Sequence, residues 1–196
     1  MSGRAREVVT LVVTFGLSFL AVTVGFGDWR FGLGFVLLIL VHELGHIIEA
    51  KRQGLEVSLP VFIPFLGAYV TYRHSGLAPW RTALISLAGP LAGGIGAAVA
   101  LAAGSAQASH VLLVLAYYGF LFNAANLLPV GILDGGAVYR GIRDTWRRPA
   151  IRYENGVPVE ASAPERNRAV QIAAYYVLLA VGLVACAIAT RHSGAF

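Results

Sequence analysis

The stretch "FVLLILVHELGHIIEAKR", residues 35–52, decides how this chain must be read. It opens as a membrane helix does, with the apolar run Phe35–Val41. It then sets His42, Glu43 and His46 inside that run and closes on Lys51 and Arg52. A charge at the centre of a membrane helix costs roughly 2.5–3.5 kcal/mol even on the mildest insertion scale. Ionisable groups at such depth are rare and point to function. Residues four apart share one face of a helix, so His42 and His46 turn two imidazoles toward one point.

Composition agrees with a membrane setting. The 196 residues are 57% apolar and 13% charged, with a mean hydropathy of +0.70. A soluble domain is normally about 25% charged. The single cysteine, Cys186, excludes an internal disulfide framework and a cysteine metal site. Five stretches reach the ~20 residues a spanning helix needs: Val8–Gly27, Phe31–Ala50, Thr82–Ala103, Val111–Leu133 and Ala169–Thr190. The expected fold is an all-α polytopic membrane protein of about five transmembrane helices. Residues 1–28 read as a retained anchor helix, because the basic start "MSGRAREVV" runs into a segment too long for a signal peptide, without a small-residue cleavage site. Residues 29–147 read as the core, 148–168 as a cytoplasmic polar linker and 169–196 as a C-terminal transmembrane helix.

Orientation follows from Lys and Arg placement. With the N-terminus cytoplasmic and the spans alternating, only Arg30 and Arg191 fall outside; the other thirteen of the 15 basic residues fall inside. The net charge of +5 is thereby explained by topology and contact with a lipid bilayer bearing anionic headgroups. No basic module interleaved with aromatics points to nucleic acid.

Two inside segments stand out. Residues 54–76, "GLEVSLPVFIPFLGAYVTYRHSG", are too apolar for a solvated loop and too broken by Pro60, Pro64 and Gly67 for a spanning helix. Val, Phe and Tyr favour strands, so a re-entrant β-hairpin after the α-helical HELGH segment is expected, with a hairpin lying among the headgroups as the competing reading. Residues 144–166 are polar and Pro-rich, with a plausible turn at Asn155-Gly156. Between the spans, "LAGPLAGGIGAAVALAAG" is a helix pared down for close packing, with Gly89 and Gly93 four apart and a kink expected near Pro90.

Two imidazoles four apart can hold one zinc ion, and a carboxylate one residue on can take a proton from water there. This is the HExxH arrangement of zinc peptidases. The blander reading is a buried histidine pair with Glu43 as counter-ion. A catalytic zinc needs a third protein ligand and an open position. By the topology, His110 and His192 lie on the opposite side, His74 sits in the hairpin segment as a surface residue, and Glu49 is on the wrong face of its helix. Asp134 is left, in "FNAANLLPVGILDGGAVYR", where Pro129, Gly131, Gly135 and Gly136 interrupt the fourth span. Capping of the helix that follows is a competing role for Asp134.

"HELGH" in one apolar span and "NLLPVGILDGG" in a later one together resemble the site-2 protease family of intramembrane zinc metalloproteases, whose pattern is HExxH followed by N-x-x-P-x-x-x-L-D-G. Asn126, Pro129, Leu133, Asp134 and Gly135 match it. The resemblance extends to "SLAGPLAG", residues 86–93, and covers about residues 30–145. It implies one Zn2+ per chain held by His42, His46 and Asp134, with Glu43 as catalytic base and Asn126 stabilising the oxyanion or positioning the carbonyl. It implies a transmembrane protein as substrate, received as an added strand by the hairpin around Phe65–Tyr72, with Gly67, Ala68, Tyr69 and Val70 in contact. The chain departs from the family pattern at Gly93, where an Asn is common, and at Ile132, where a Pro is. No PDZ-like or CBS-like domain is expected in 196 residues. A metal transport site and an inactive protease-like scaffold are the alternative functions; intact Glu43 speaks against the scaffold.

Overall fold

The computed structural model describes residues 3–64, 67–73, 77–147, 152–154, 157–159 and 163–192. Helix α1 spans Gly3–Phe26 and α2 spans Trp29–Arg52. Two nested antiparallel strand pairs follow: β1 (Glu56–Val57) with β4 (Tyr72–Arg73), and β2 (Val61–Ile63) with β3 (Gly67–Tyr69). Then come α3 (Pro79–Gln107), α4 (His110–Asn126), α5 (Asp134–Arg147), the small hairpin β5–β6 (Arg152–Glu154, Val157–Val159) and α6 (Ala163–Thr190). Phe65, His74 and the Asn155-Gly156 turn lie outside the described residues.

Helices α1, α2, α3 and α6 are long and apolar enough to cross a membrane. Their most apolar windows differ in burial: 56% and 50% for α2 and α3, against 11% and 17% for α1 and α6. Helices α2 and α3 therefore form the centre, while α1 and α6 turn most of their surface outward. The fourth apolar stretch differs from its expected bounds. Helix α4 stops at Asn126 after 17 residues, about 26 Å of helix. Residues 127–133 make a chain of turns in place of a last helical turn. Pro129 has no N–H to continue the ladder, and Gly131 takes a left-handed φ of 53°.

Each helix is placed by identifiable contacts. Asp28 caps α2, its carboxylate accepting from the Arg30 and Phe31 amides. A Cβ on Gly45 would stand 2.3 Å from the Ala88 carbonyl oxygen, so only glycine allows α2 and α3 this close. Leu38, Ala97, Ala116 and Phe120 fill the layer beyond, all buried. Pro79 opens α3 at its first turn, and the helix continues through buried Pro90. At that point the ring deprives the Ser86 carbonyl of its helical donor.

The inner strand pair is tied to α1. Phe62 is buried against Phe15, their rings edge to face at 5.4 Å, and the Phe62 amide donates to Thr14 Oγ1 at 3.2 Å. On the other strand Gly67, at φ 106°, lies against the Phe122 ring. Helix α6 closes the far side. Its Tyr176 hydroxyl donates to the Leu127 carbonyl at the end of α4 (2.5 Å), and Leu183 fills the gap over Gly94.

Candidate metal centre

Three side chains that could ligate a metal converge where α2, α3, α4 and the start of α5 meet. His42 Nε2 lies 3.1 Å from His46 Nε2. The Asp134 carboxylate reaches both rings, Oδ2 at 3.1 Å from His42 Nε2 and Oδ1 at 3.4 Å from His46 Nε2. Ligands of a tetrahedral zinc at about 2.0–2.1 Å stand roughly 3.3 Å apart.

The far nitrogen of each ring is committed. His46 Nδ1 meets the Ile85 carbonyl at 2.8 Å, which can only accept, so Nδ1 carries the proton. Asn123 Nδ2 donates to the Gly119 carbonyl at 2.7 Å, which turns Asn123 Oδ1 toward His42 Nδ1, 2.8 Å away. That ring too is protonated at Nδ1. With both imidazoles neutral, each Nε2 lone pair points at the other ring and at a carboxylate. Three acceptors with no proton between them repel one another, and a cation at their centre resolves the conflict. The donor set of two imidazoles and one carboxylate suits zinc.

Two glycines make this geometry possible. A Cβ on Gly89 would stand 2.2 Å from His46 Nε2, and one on Gly93 would stand 2.2 Å from Asn123 Oδ1. The departure from the family pattern at Gly93 thus has a physical reason: the amide beside His42 comes from α4, and α3 must clear it. Phe122 covers the His42 ring edge to face, 5.4 Å between centroids.

Asp134 is the first residue of α5, and its carboxylate is directed at the two rings. The Leu133 carbonyl before it accepts from the Gly136 and Ala137 amides, which starts the helix. The turn that carries Asp134 is tight; a Cβ on Gly135 would stand 2.1 Å from the Leu127 carbonyl oxygen. Glu43 is buried beside the cluster, 3% exposed. Glu49 instead pairs with Arg52 and Gln53, and His110 and His192 are exposed outside the cluster.

A cavity of about 240 Å³ opens over the cluster. His42, Glu43, His46 and Asp134 form its polar floor, and Asn126 and Ser86 line it. Gly67, Ala68, Tyr69 and Val70 form the opposing wall. Asn126 donates one amide hydrogen to the Phe122 carbonyl at 3.2 Å. Motif reading gave no role to Asn123, the Ile85 carbonyl or Ser86. Asn123 did leave a signal, as a polar side chain inside the apolar run "YGFLFNAAN".

Residues 30–108 and 102–157 match peptidase family M50. Among curated relatives, Rip3 of Mycobacterium tuberculosis, named as a zinc metalloprotease, is 30% identical over 167 residues, covering 79% of this chain and 40% of its own length. EGY2 and EGY1 of Arabidopsis thaliana, named as chloroplastic zinc metalloproteases, are 29% and 28% identical over 52% and 55% of this chain. The chain spans 26%, 28% and 40% of the length of EGY2, EGY1 and Rip3 respectively. The matched residues carry α2 with both histidines, the glycines of α3 and the Asp134 turn. On this match, which covers both histidines and Asp134, the chain is a membrane protein that belongs to peptidase family M50, the site-2 protease family.

Proposed function

We propose that this chain is an intramembrane zinc endopeptidase that hydrolyses peptide bonds in the transmembrane segments of other proteins, with residues 29–147 as its catalytic core. The observation that carries the reading is the convergence of His42 Nε2, His46 Nε2 and the Asp134 carboxylate beneath a cavity that Glu43 shares. His42, His46 and Asp134 would hold the zinc. Bound there, zinc supplies Lewis acidity, which polarises a carbonyl and acidifies water.

The remaining chemistry belongs to the chain. Glu43 takes a proton from the attacking water at a carboxylate oxygen. The water oxygen adds to the scissile carbonyl carbon, the C–N bond breaks, and Glu43 returns the proton to the leaving nitrogen. Asn126 Nδ2 donates toward the carbonyl oxygen as negative charge develops on it. A helical substrate must unwind first, because its amides are already hydrogen-bonded. Gly67–Val70 of the cavity wall receives the unwound segment as an added strand, which re-satisfies its backbone.

The depth fits a membrane substrate. His42 lies ten residues before Arg52, about 15 Å along the helix. Phe62 is bonded to Thr14, eleven residues into α1, a depth of about 16 Å. These depths support a re-entrant hairpin and α4 as a fifth, shorter span whose broken end lines the cavity. The distribution of Lys and Arg sets the N-terminus and the active site toward the cytoplasm, so one product leaves on that side.

The test is zinc content together with cleavage of a membrane substrate. Wild type and Glu43→Gln each retain about one zinc, and only wild type cleaves. His46→Ala and Asp134→Ala lose both zinc and cleavage. Zinc retained at full occupancy without Asp134 would remove that residue from the ligand set. A protein purified without chelators that never holds zinc would overturn the peptidase reading.

A further inference from the structure

Away from the metal centre, the groove between α2, α3 and α6 has a polar rim and an apolar floor. A cavity of about 430 Å³ runs along it, walled by Leu87, Leu91, Leu179 and Tyr175, with Glu49 and Arg52 at one end. Ligand pockets commonly enclose roughly 300–1,000 Å³. A second cavity of about 280 Å³ continues it, sharing Leu84 and Tyr175 and adding Trp80 and Arg168. Neither cavity shares a lining residue with the Glu43 site, and no side chain of the cluster lines them.

The rim is cationic and level. Gln53 Nε2 donates to the Arg81 carbonyl at 3.2 Å, which sets the end of α2 beside the start of α3. The Arg168 and Arg81 guanidinium carbons lie 4.6 and 5.4 Å from the Trp80 ring centroid, which brings α6 to the same level. Arg52 is balanced by Glu49 through two bonds of 2.7 and 2.8 Å. Among the side chains described, which leave out Glu165, no carboxylate pairs with Arg81 or Arg168. These two cations share the Trp80 indole near the starts of α3 and α6, and leucines line the adjoining cavity.

We propose that this groove binds an anionic phospholipid, its phosphate between Arg81 and Arg168 beside Trp80 and one acyl chain lying against Leu87, Leu91 and Leu179. Charge selects this occupant over a transmembrane peptide. The cytoplasmic flanks of membrane helices are rich in Lys and Arg, which the Arg81–Arg168 rim repels. The site is independent of the peptidase reading, and its test needs no cleavage.

Trp29→Phe with Trp146→Phe leaves Trp80 as the sole tryptophan of the three. This protein, reconstituted in phosphatidylcholine vesicles, is given brominated phosphatidylglycerol or brominated phosphatidylcholine at the same low mole fraction. Brominated phosphatidylglycerol quenches Trp80 several-fold more strongly, and soluble glycerol phosphate does not reverse the quenching. Adding Arg81→Gln and Arg168→Gln removes the preference, roughly five-fold in affinity for each arginine, with helicity and thermal unfolding unchanged. Equal quenching by the two lipids overturns the proposal, as does a preference that survives loss of both arginines. Relief of quenching by a basic-flanked apolar helical peptide at its own binding concentration would reassign the groove to peptide.

Discussion

His42 and His46 are held by different kinds of acceptor, and that difference can be measured. The Ile85 carbonyl is part of the α3 backbone and cannot be removed by mutation, whereas Asn123 is a side chain. Asn123→Ala leaves His42 Nδ1 without its partner and frees the ring to turn. Loss of such a partner typically costs 10–100-fold in metal affinity. The expected result is a zinc dissociation constant raised by about that factor, with Asn123→Asp restoring much of it; unchanged affinity in the alanine variant would show that packing alone holds the ring. Gly89→Ala acts on the other histidine. Its methyl would stand 2.2 Å from His46 Nε2, the nitrogen that would face the metal, so zinc occupancy should collapse while circular dichroism stays helical.

At the scale of elements, the hairpin and the broken end of α4 shape the cavity without supplying ligands. Phe62 anchors the hairpin to α1, buried at 2% exposure. Phe62→Ala removes that anchor at a cost of about 3 kcal/mol of packing. Cleavage should fall severalfold while zinc content stays near one per chain, since no ligand touches Phe62. A parallel loss of zinc would mean that the hairpin also supports the cluster. Helix α6 holds the end of α4 through the Tyr176 hydroxyl, which donates to the Leu127 carbonyl. Tyr176→Phe leaves a carbonyl unpaired at the start of the 127–133 turns, a loss of about 1 kcal/mol. Thermal unfolding should come earlier and turnover slow, again with zinc retained. The Tyr176 contact to the end of α4 is one that the sequence of α6 did not reveal.

For the whole molecule, the metal would tie two distant segments of chain, because His42 and His46 belong to α2 and Asp134 opens α5. Anything that binds only the folded state stabilises it, by about 2.7 kcal/mol at a hundredfold excess over its dissociation constant. Chelation should therefore lower the unfolding temperature in detergent, and added zinc should restore it. Asp134→Ala should show a lower starting temperature and no response to either treatment. A wild-type melting curve indifferent to chelator would show that helix packing alone fixes the α2–α5 geometry.

Much of this was legible in the residues themselves. Helix spacing alone aims His42 and His46 at one point, and apolar length alone identifies the long helices. The wall residues Gly67–Val70 were legible only through the resemblance, and Asp134 was open between a cap and a ligand. Local patterns settle what depends on neighbours a few residues apart, such as helical faces, breaks at Pro129 and strand-forming runs. They cannot settle which segments meet across the fold. That Asn123 and not an α3 side chain steadies His42, that Gly93 must be bare to admit it, and that α6 clamps the end of α4 depend on contacts between residues dozens of positions apart. Those contacts exist only once α2 and α3 have packed backbone to backbone at Gly45, because that close approach sets which atoms of the neighbouring helices the two imidazoles can reach.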